Sequence, residues 1–176
     1  MNQRSIHIQK DEDPMEKLMP MLEGKVFHVS LTSNWAKIHK SREIVPNNEN
    51  SLETTFGCSS NSYFKNNGCV SVFDYRRPLD EKLQKQIDKC QPIRPLREGK
   101  AITIFILKSE AHDHLRTWED IRTNIGDQLV VPYIEAGYPD KISLSLIEEF
   151  IFVTMDIDNN SLSSVIRKAH EIKKRD

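Results

Sequence analysis

Three groups of polar residues in this 176-residue chain carry side chains that could act on one ligand. His28 and Ser30 alternate within an apolar run. Ser62 and Tyr63 precede the next such run, and Glu135 follows "VVPYI". An imidazole exchanges protons near neutral pH, an aromatic face stacks on flat rings, and burial tunes a carboxylate. Together they indicate the walls of a nucleotide-binding cleft. Taken singly, each residue also fits a structural role, and the sequence leaves that alternative open.

The histidines suggest two other chemistries. His28-Val-Ser30 matches half of the paired His-x-Ser/Thr signature of two-histidine phosphoesterases, whose two imidazoles act as base and acid on a phosphodiester. Residues 39–41 repeat the pattern too close to the first copy, and on a presumed helix. His112 and His114 would share a face only on a strand, and their surroundings read as helix. We therefore expect solvated helix surface there rather than a zinc site, which needs three or four ligands.

Several enzyme classes are excluded because their motifs are missing. The sequence contains no GxSxG elbow for a catalytic serine. Its six glycines never occur at GxGxxG or GxxxxGK spacing, so no loop could cradle a phosphate in the Rossmann or P-loop manner. The kinase and Rossmann interpretations are excluded on this ground.

Length and composition predict a soluble protein with one main domain. The chain is 38% hydrophobic and carries a formal net charge of −1, so no global positive field attracts nucleic acid or anionic membranes. No apolar run approaches the roughly 20 residues that span a bilayer, and no signal peptide is evident. Cys58, Cys69 and Cys90 lack metal-like spacing, which predicts free thiols in a reducing cytoplasm. We expect residues 1–24 to be a lead-in to a single α+β domain over residues 25–176.

Hydrophobic periodicity predicts the elements that would position these side chains. Thr32 or Ser33 is expected to cap a helix bearing Trp35, directly after the strand that carries His28. Residues 45–68 show no period and read as a long functional or disordered loop. Pro132 predicts an irregular or edge strand around Glu135. The further predictions are strands at 69–76 and 101–108, a last strand ending near 155, and helices at 78–90 and 161–174.

The order of these features resembles the ADP-ribosyltransferase fold. In that superfamily a strand bearing histidine or arginine leads into a helix, as in "FHVSLTSNWAKIHKSREIVPN" (27–47). A glutamate then precedes a late strand pair, as in "VPYIEAGYPDKISLSLIEEFIFVTM" (131–155). The chain is most similar to the histidine-bearing branch, which includes DNA-modifying bacterial toxins and RNA 2′-phosphotransferases. It departs from the pattern at 42–43, where a glycine is usual, and it lacks the STS and ExE motifs of the arginine-bearing branch.

The resemblance implies a mixed, mostly antiparallel split sheet with flanking helices, and NAD as the substrate. Glu135 would stabilise the ribose cation that forms when the nicotinamide–ribose bond breaks. His28 and Ser30 would bind the ribose of the adenosine half. Tyr63 or Tyr75 would stack on nicotinamide, with Ser62 beside it; the spacing does not choose between the two tyrosines.

The resemblance leaves the acceptor open among protein, nucleic acid and water, and implies no membrane partner. Two other functions stay open at this level. The chain could be a binding or antidote module without catalysis, or a two-histidine RNA phosphoesterase. Glu135→Gln distinguishes NAD cleavage from both, because it would slow cleavage by at least ~10²-fold and leave either alternative nearly unchanged.

Overall fold

Eight strands and six α-helices make up the part of the chain that the computed structural model describes, residues 2–49, 52 and 60–156. The strands are β1 (Asn2–Ile8), β2 (Val26–Leu31), β3 (Glu43–Ile44), β4 (Cys69–Asp74), β5 (Ile102–Leu107), β6 (Glu135–Pro139), β7 (Ile142–Ser143) and β8 (Ile147–Met155). The helices are α1 (Pro14–Leu22), α2 (Trp35–Ser41), α3 (Tyr63–Asn66), α4 (Glu81–Lys89), α5 (Arg94–Arg97) and α6 (Trp118–Ile121).

The main sheet has six strands in the order β1-β8-β5-β2-β4-β6, and β3 pairs with β7 in a separate two-stranded sheet. Only β1 and β8 run parallel among the strand pairs of the described residues. The predicted α+β class, with a mixed and mostly antiparallel sheet flanked by helices, is therefore confirmed.

The apolar strand β5 anchors the core. All six of its residues are buried, because a run that is apolar on both faces is stable only between two packed layers. It pairs with β2 on one side and β8 on the other. Ile104 and Phe27 belong to the hydrophobic cluster on one face, and Phe105 and Val72 to the cluster on the other. The central strand predicted at 101–108 is confirmed.

The N-terminal residues belong to the same core, although the sequence predicts a lead-in over residues 1–24. β1 pairs with β8 over seven positions, and Leu18 and Leu22 are 0% exposed. The sequence also predicts at most one broken turn around Pro20, whereas α1 spans nine residues. Asp13 caps it by accepting from two backbone N–H groups, and Pro20 occupies an exposed position in its last turn.

The predicted cap of α2 is wrong. Thr32–Asn34 form a 3₁₀ turn, so α2 begins only at Trp35, and no side chain caps either helix start. The Thr32 hydroxyl instead contacts the Thr103 hydroxyl on β5, at 3.1 Å. The local sequence offers a capping hydroxyl, but a neighbouring strand competes for it.

Other predicted segments are confirmed, changed or outside the described residues. The helix over 78–90 is confirmed as α4, and the strand with Pro132 nearby becomes β6 at the edge of the sheet. Residues 109–125, where the sequence predicts a helix or a helix plus loop, form a 3₁₀ segment and the short α6. The loop predicted at 45–68 is described only in part, and its residues 63–66 form α3. Residues 50, 51 and 53–59, which include Cys58, and the helix predicted at 161–174 lie outside the described residues. Within the described part, no helix is long and apolar enough to cross a bilayer.

Strands β2 and β4 separate soon after they meet. They pair only at Val26 with Asp74 and at Phe27 with Phe73, whereas β2 pairs with β5 at five positions and β4 with β6 at five. The sheet therefore opens between β2 and β4 in its middle. This opening positions the residues described next.

Candidate functional site

A cavity of about 780 Å³ lies at this opening. His28 and Ser30 line it from β2, Ser71 from β4, Glu135 from β6, and Ser62 from the start of α3. The volume falls within the roughly 300–1,000 Å³ of small-molecule sites. Four of the residues that the sequence singles out thus share one cavity, although they come from three separate parts of the chain.

The strand registers place the two principal residues on opposite faces of the sheet. Phe27 pairs with Phe73, and Phe73 pairs with Glu135, so these three side chains share a face. His28 follows Phe27 directly and therefore points to the other face. Because the cavity contacts both His28 and Glu135, it extends through the gap between β2 and β4.

The imidazole of His28 spans part of that gap. Its Nδ1 lies 2.9 Å from the carbonyl oxygen of Ser71, so Nδ1 must carry the proton and donate. In the neutral ring this leaves Nε2 as the acceptor. Burial lowers the pKa of His28, and the bond to Ser71 opposes that effect. The neutral ring is therefore favoured at neutral pH.

Ser30 lies on the same face as His28 and is hydrogen-bonded by a residue of the 3₁₀ turn that precedes α2. The Asn34 amide donates to the Ser30 hydroxyl at 3.2 Å, and both residues are 6% exposed. Asn34 also lines the cavity. The pair supplies two neutral polar groups beside His28, which suits hydrogen bonding to ligand hydroxyls.

Glu135 is held by the turn that precedes β6. Its Oε2 accepts from the Val131 backbone N–H at 2.9 Å, while its own N–H donates to the Val131 carbonyl at 3.0 Å. The Ser71 side chain lies on the same face as Glu135, as its diagonal neighbour across β4 and β6. Burial raises the pKa of Glu135, and the Val131 N–H and the Ser71 side chain pull it down without cancelling the rise. Tyr133, inside the turn, has a left-handed backbone with φ of 69°.

Cys90 lines the cavity beside Glu135. Burial, with a smaller contribution from the nearby charge of Glu135, raises the pKa of its thiol to about 11. A thiol with that pKa stays protonated and unreactive at neutral pH. We therefore assign Cys90 to the wall of the cavity rather than to its chemistry.

Neither tyrosine predicted to stack is among the described residues that line the cavity. Tyr75 is 2% exposed and packs against the rings of Phe27 and Phe73 in the core. Tyr63 begins α3 and packs against Phe64. Both aromatic side chains take part in packing because the sheet and α3 turn them inward. Phe73, which the sequence did not single out, contributes an aromatic ring to the wall.

The structure adds polar residues that the sequence did not indicate, among them Ser71, Lys37 and Lys65. Both lysines bring positive charge to the lining, while the acidic Glu43 pairs with Lys141 at 2.7 Å. In "CVSVFD" the alternation of a strand predicts that the Ser71 side chain points to the opposite face from Val70 and Val72. Nothing in the sequence indicates that the Ser71 carbonyl bonds His28.

Metal ligands do not converge in the part of the chain that the structure describes: no group of three or more His, Cys, Asp or Glu could hold an ion there. His112 and His114 lie in the 3₁₀ segment Ser109–His114, away from the residues that line the cavity. Comparison with protein-family models, curated proteins and solved structures found no match to this chain.

Proposed function

We propose that this cavity binds NAD and cleaves the nicotinamide–ribose bond, as a member of an ADP-ribosyltransferase-like group would. The observation that carries the proposal is the convergence of His28, Ser30 and Glu135 on one cavity of about 780 Å³. The sequence predicts that role for the same three residues, which span 107 positions of the chain, from 28 to 135. The cavity is large enough for a dinucleotide-sized ligand.

His28 and Glu135 lie on opposite faces of the sheet, an arrangement that suits a ligand with two sugar-bearing halves. A dinucleotide is long enough to extend through the gap between β2 and β4, with one ribose beside His28 and Ser30 and the other beside Glu135. The Nε2 atom of neutral His28 would accept from a ribose hydroxyl. Lys37 and Lys65 would attract the phosphates between the two sugars.

Cleavage needs a negative charge near the reacting sugar. The bond between C1′ and the nicotinamide nitrogen breaks heterolytically, and its electron pair neutralises the pyridinium ring. The sugar becomes an oxocarbenium-like cation, which ionised Glu135 stabilises. Water or an acceptor hydroxyl or amine then adds to C1′ and releases one proton. The products are nicotinamide and either ADP-ribose or an ADP-ribosylated acceptor.

The structure favours this proposal over a two-histidine phosphoesterase. That mechanism requires two imidazoles on either side of one phosphodiester. Among the described residues that line the cavity, His28 is the single histidine. A binding module without catalysis remains the second candidate, since a cavity with neutral polar groups also suits ligand capture.

The test is incubation of the full chain with NAD while nicotinamide release is followed by chromatography. We expect release by the wild type and a loss of at least ~10²-fold in Glu135→Gln, the scale for removing one key electrostatic group. Glu81→Gln, at an exposed position in the first turn of α4, is the matched control and should match the wild type.

Calorimetry with NAD separates the alternatives. Binding without release, equal in wild type and Glu135→Gln, would support a binding module. Neither binding nor release would overturn the proposal. Hydrolysis of a 2′,3′-cyclic phosphate that His28→Ala abolishes and Glu135→Gln spares would support the phosphoesterase instead.

A further inference from the structure

Ser71 is a neighbour of both principal residues of the cavity. Its carbonyl accepts from Nδ1 of His28 at 2.9 Å, and its side chain lies diagonally across from Glu135, whose pKa it lowers. Ser71 lies on β4 where that strand has left β2, two residues from the last pair, Phe27 with Phe73. Ser71 is therefore the residue of β4 that bonds His28 across the gap and adjoins Glu135 on the other side.

The register between β4 and β6 puts the Ser71 side chain on the face that carries Glu135. Ser71 pairs with Gly137 and Phe73 pairs with Glu135, so Ser71 and Glu135 are diagonal neighbours on one face. Gly137 carries no side chain between them. A hydroxyl that donates to a carboxylate favours its charged form, which opposes the effect of burial.

The Ser71 backbone carbonyl bonds His28, whose side chain lies on the opposite face of the sheet from Glu135. A carbonyl can only accept, so it requires a proton on Nδ1 of His28 and leaves Nε2 of the neutral ring free to accept from a ligand. This bond replaces the backbone pairing that β2 and β4 lack beyond Phe27, and it fixes the orientation of the ring.

We infer that Ser71 is the positioning residue of this site: its hydroxyl holds Glu135 as a carboxylate, and its carbonyl holds His28 in the Nδ1–H tautomer. Its effect on catalysis rests on the proposed function, whereas its effect on the two side chains does not. Ser71 itself needs no contact with the ligand's reacting atoms.

The first test titrates Glu135 in the ligand-free protein by carbon-13 NMR of its carboxyl group. Ser71→Ala removes the hydroxyl and keeps the carbonyl, so the pKa of Glu135 should rise relative to the wild type. Ser71→Thr restores a hydroxyl and should restore the titration. Ser71→Cys, a weaker donor, should lie between them and serves if the alanine variant folds poorly. Ser5→Ala, on the exposed strand β1, is the control.

Nitrogen-15 NMR of His28 tests the carbonyl. Nδ1 should carry the proton near neutral pH in the wild type and in Ser71→Ala, because both keep the carbonyl. A proton on Nε2 instead would overturn that half of the inference. An unchanged Glu135 titration in both Ser71→Ala and Ser71→Cys would overturn the other half.

Turnover supplies a readout that a merely structural residue would not move. Below the pKa of Glu135, Ser71→Ala should release nicotinamide about tenfold more slowly than the wild type, the scale of one lost hydrogen bond to a charged group. The loss should shrink at higher pH and disappear in Ser71→Thr. If no variant releases nicotinamide but the titration of Glu135 shifts, the proposed function fails and the positioning role stands. If release is normal with one pH profile throughout, the proposed function stands and the positioning role fails.

Discussion

The two sides of the cavity are built differently. His28 belongs to β2, which lies inside the sheet and pairs with the fully buried β5. Glu135 begins β6, which is the edge strand, and follows a turn whose residue Tyr133 has a left-handed backbone. Interior strands open only with the whole fold, whereas edges and turns open locally. The comparison indicates a rigid side at His28 and a more adjustable side at Glu135; under the proposed function the first would orient the ligand and the second would act on it.

The largest expected effect on the fold comes from Gly137 on the adjustable side. A Cβ at this position would lie 2.2 Å from Cδ1 of the fully buried Phe64 ring. Gly137→Ala should therefore lower the free energy of unfolding by ~1–3 kcal/mol, the cost of overpacking a core, as measured by urea denaturation. Hydrogen exchange should accelerate in β6 and stay slow in β5.

Phe64→Leu combined with Gly137→Ala is the control, because the smaller side chain makes room for the added methyl group. The two changes should then cost less together than separately. Equal loss of protection in β5 and β6 would contradict the difference between the two sides.

A smaller change in stability is expected from two substitutions that distinguish the roles of Nδ1 and Nε2 of His28. His28→Asn keeps a donor near the position of Nδ1, so it should retain the bond to Ser71 and a near-normal melting temperature. His28→Gln places its amide near Nε2 and should lose about 1 kcal/mol of stability, because the Ser71 carbonyl loses its donor. NAD binding, measured by calorimetry, should weaken ~3–10-fold in the asparagine variant, which lacks the group facing the ligand. Identical stability and affinity in both variants would refute these assignments.

The smallest expected effect is a dependence of the protein's stability on pH, caused by the titration of Glu135. Burial raises the pKa of Glu135 above its ordinary value of 4.5, so the folded chain holds this proton more tightly than the unfolded chain. Its contribution is fully present below pH 4.5 and is lost as pH rises through the folded pKa. Relative to the wild type, Glu135→Gln should therefore gain stability as pH rises, and the gain should level off above the folded pKa.

Melting temperatures of both proteins between acidic and neutral pH provide the measurement, with Glu81→Gln as the matched control. A gain that shrinks as pH rises would mean that ionised Glu135 stabilises the fold. That result would contradict the conclusion that ionisation of the buried Glu135 carboxyl group lowers the free energy of unfolding.

Local patterns predicted most of the elements around the site. The alternation of His28 and Ser30 with apolar neighbours predicted β2, and the apolar run around Ile104 predicted the central strand. Pro132 predicted an irregular or edge strand nearby, and β6, which begins three residues later, is the edge strand. These signals are confirmed since each depends on residues close together in the chain.

Other features depended on competition between distant residues. Thr32 could cap a helix by its local sequence, but Thr103 on β5 takes its hydroxyl. Tyr75 could stack on a ligand by residue type, but Phe27 and Phe73 enclose it in the core. No local rule weighs a nearby partner against one that the fold brings from another strand.

The sequence by itself determined the residue types, the strands that carry His28 and Glu135, and their alternation between faces. Only the tertiary structure decided that β2 and β4 separate after two paired positions, that the two residues face opposite sides, and that Ser71 is a neighbour of both. The physical reason is that side-chain direction follows from a period of two within one strand. Register between strands is set by packing over the whole sheet.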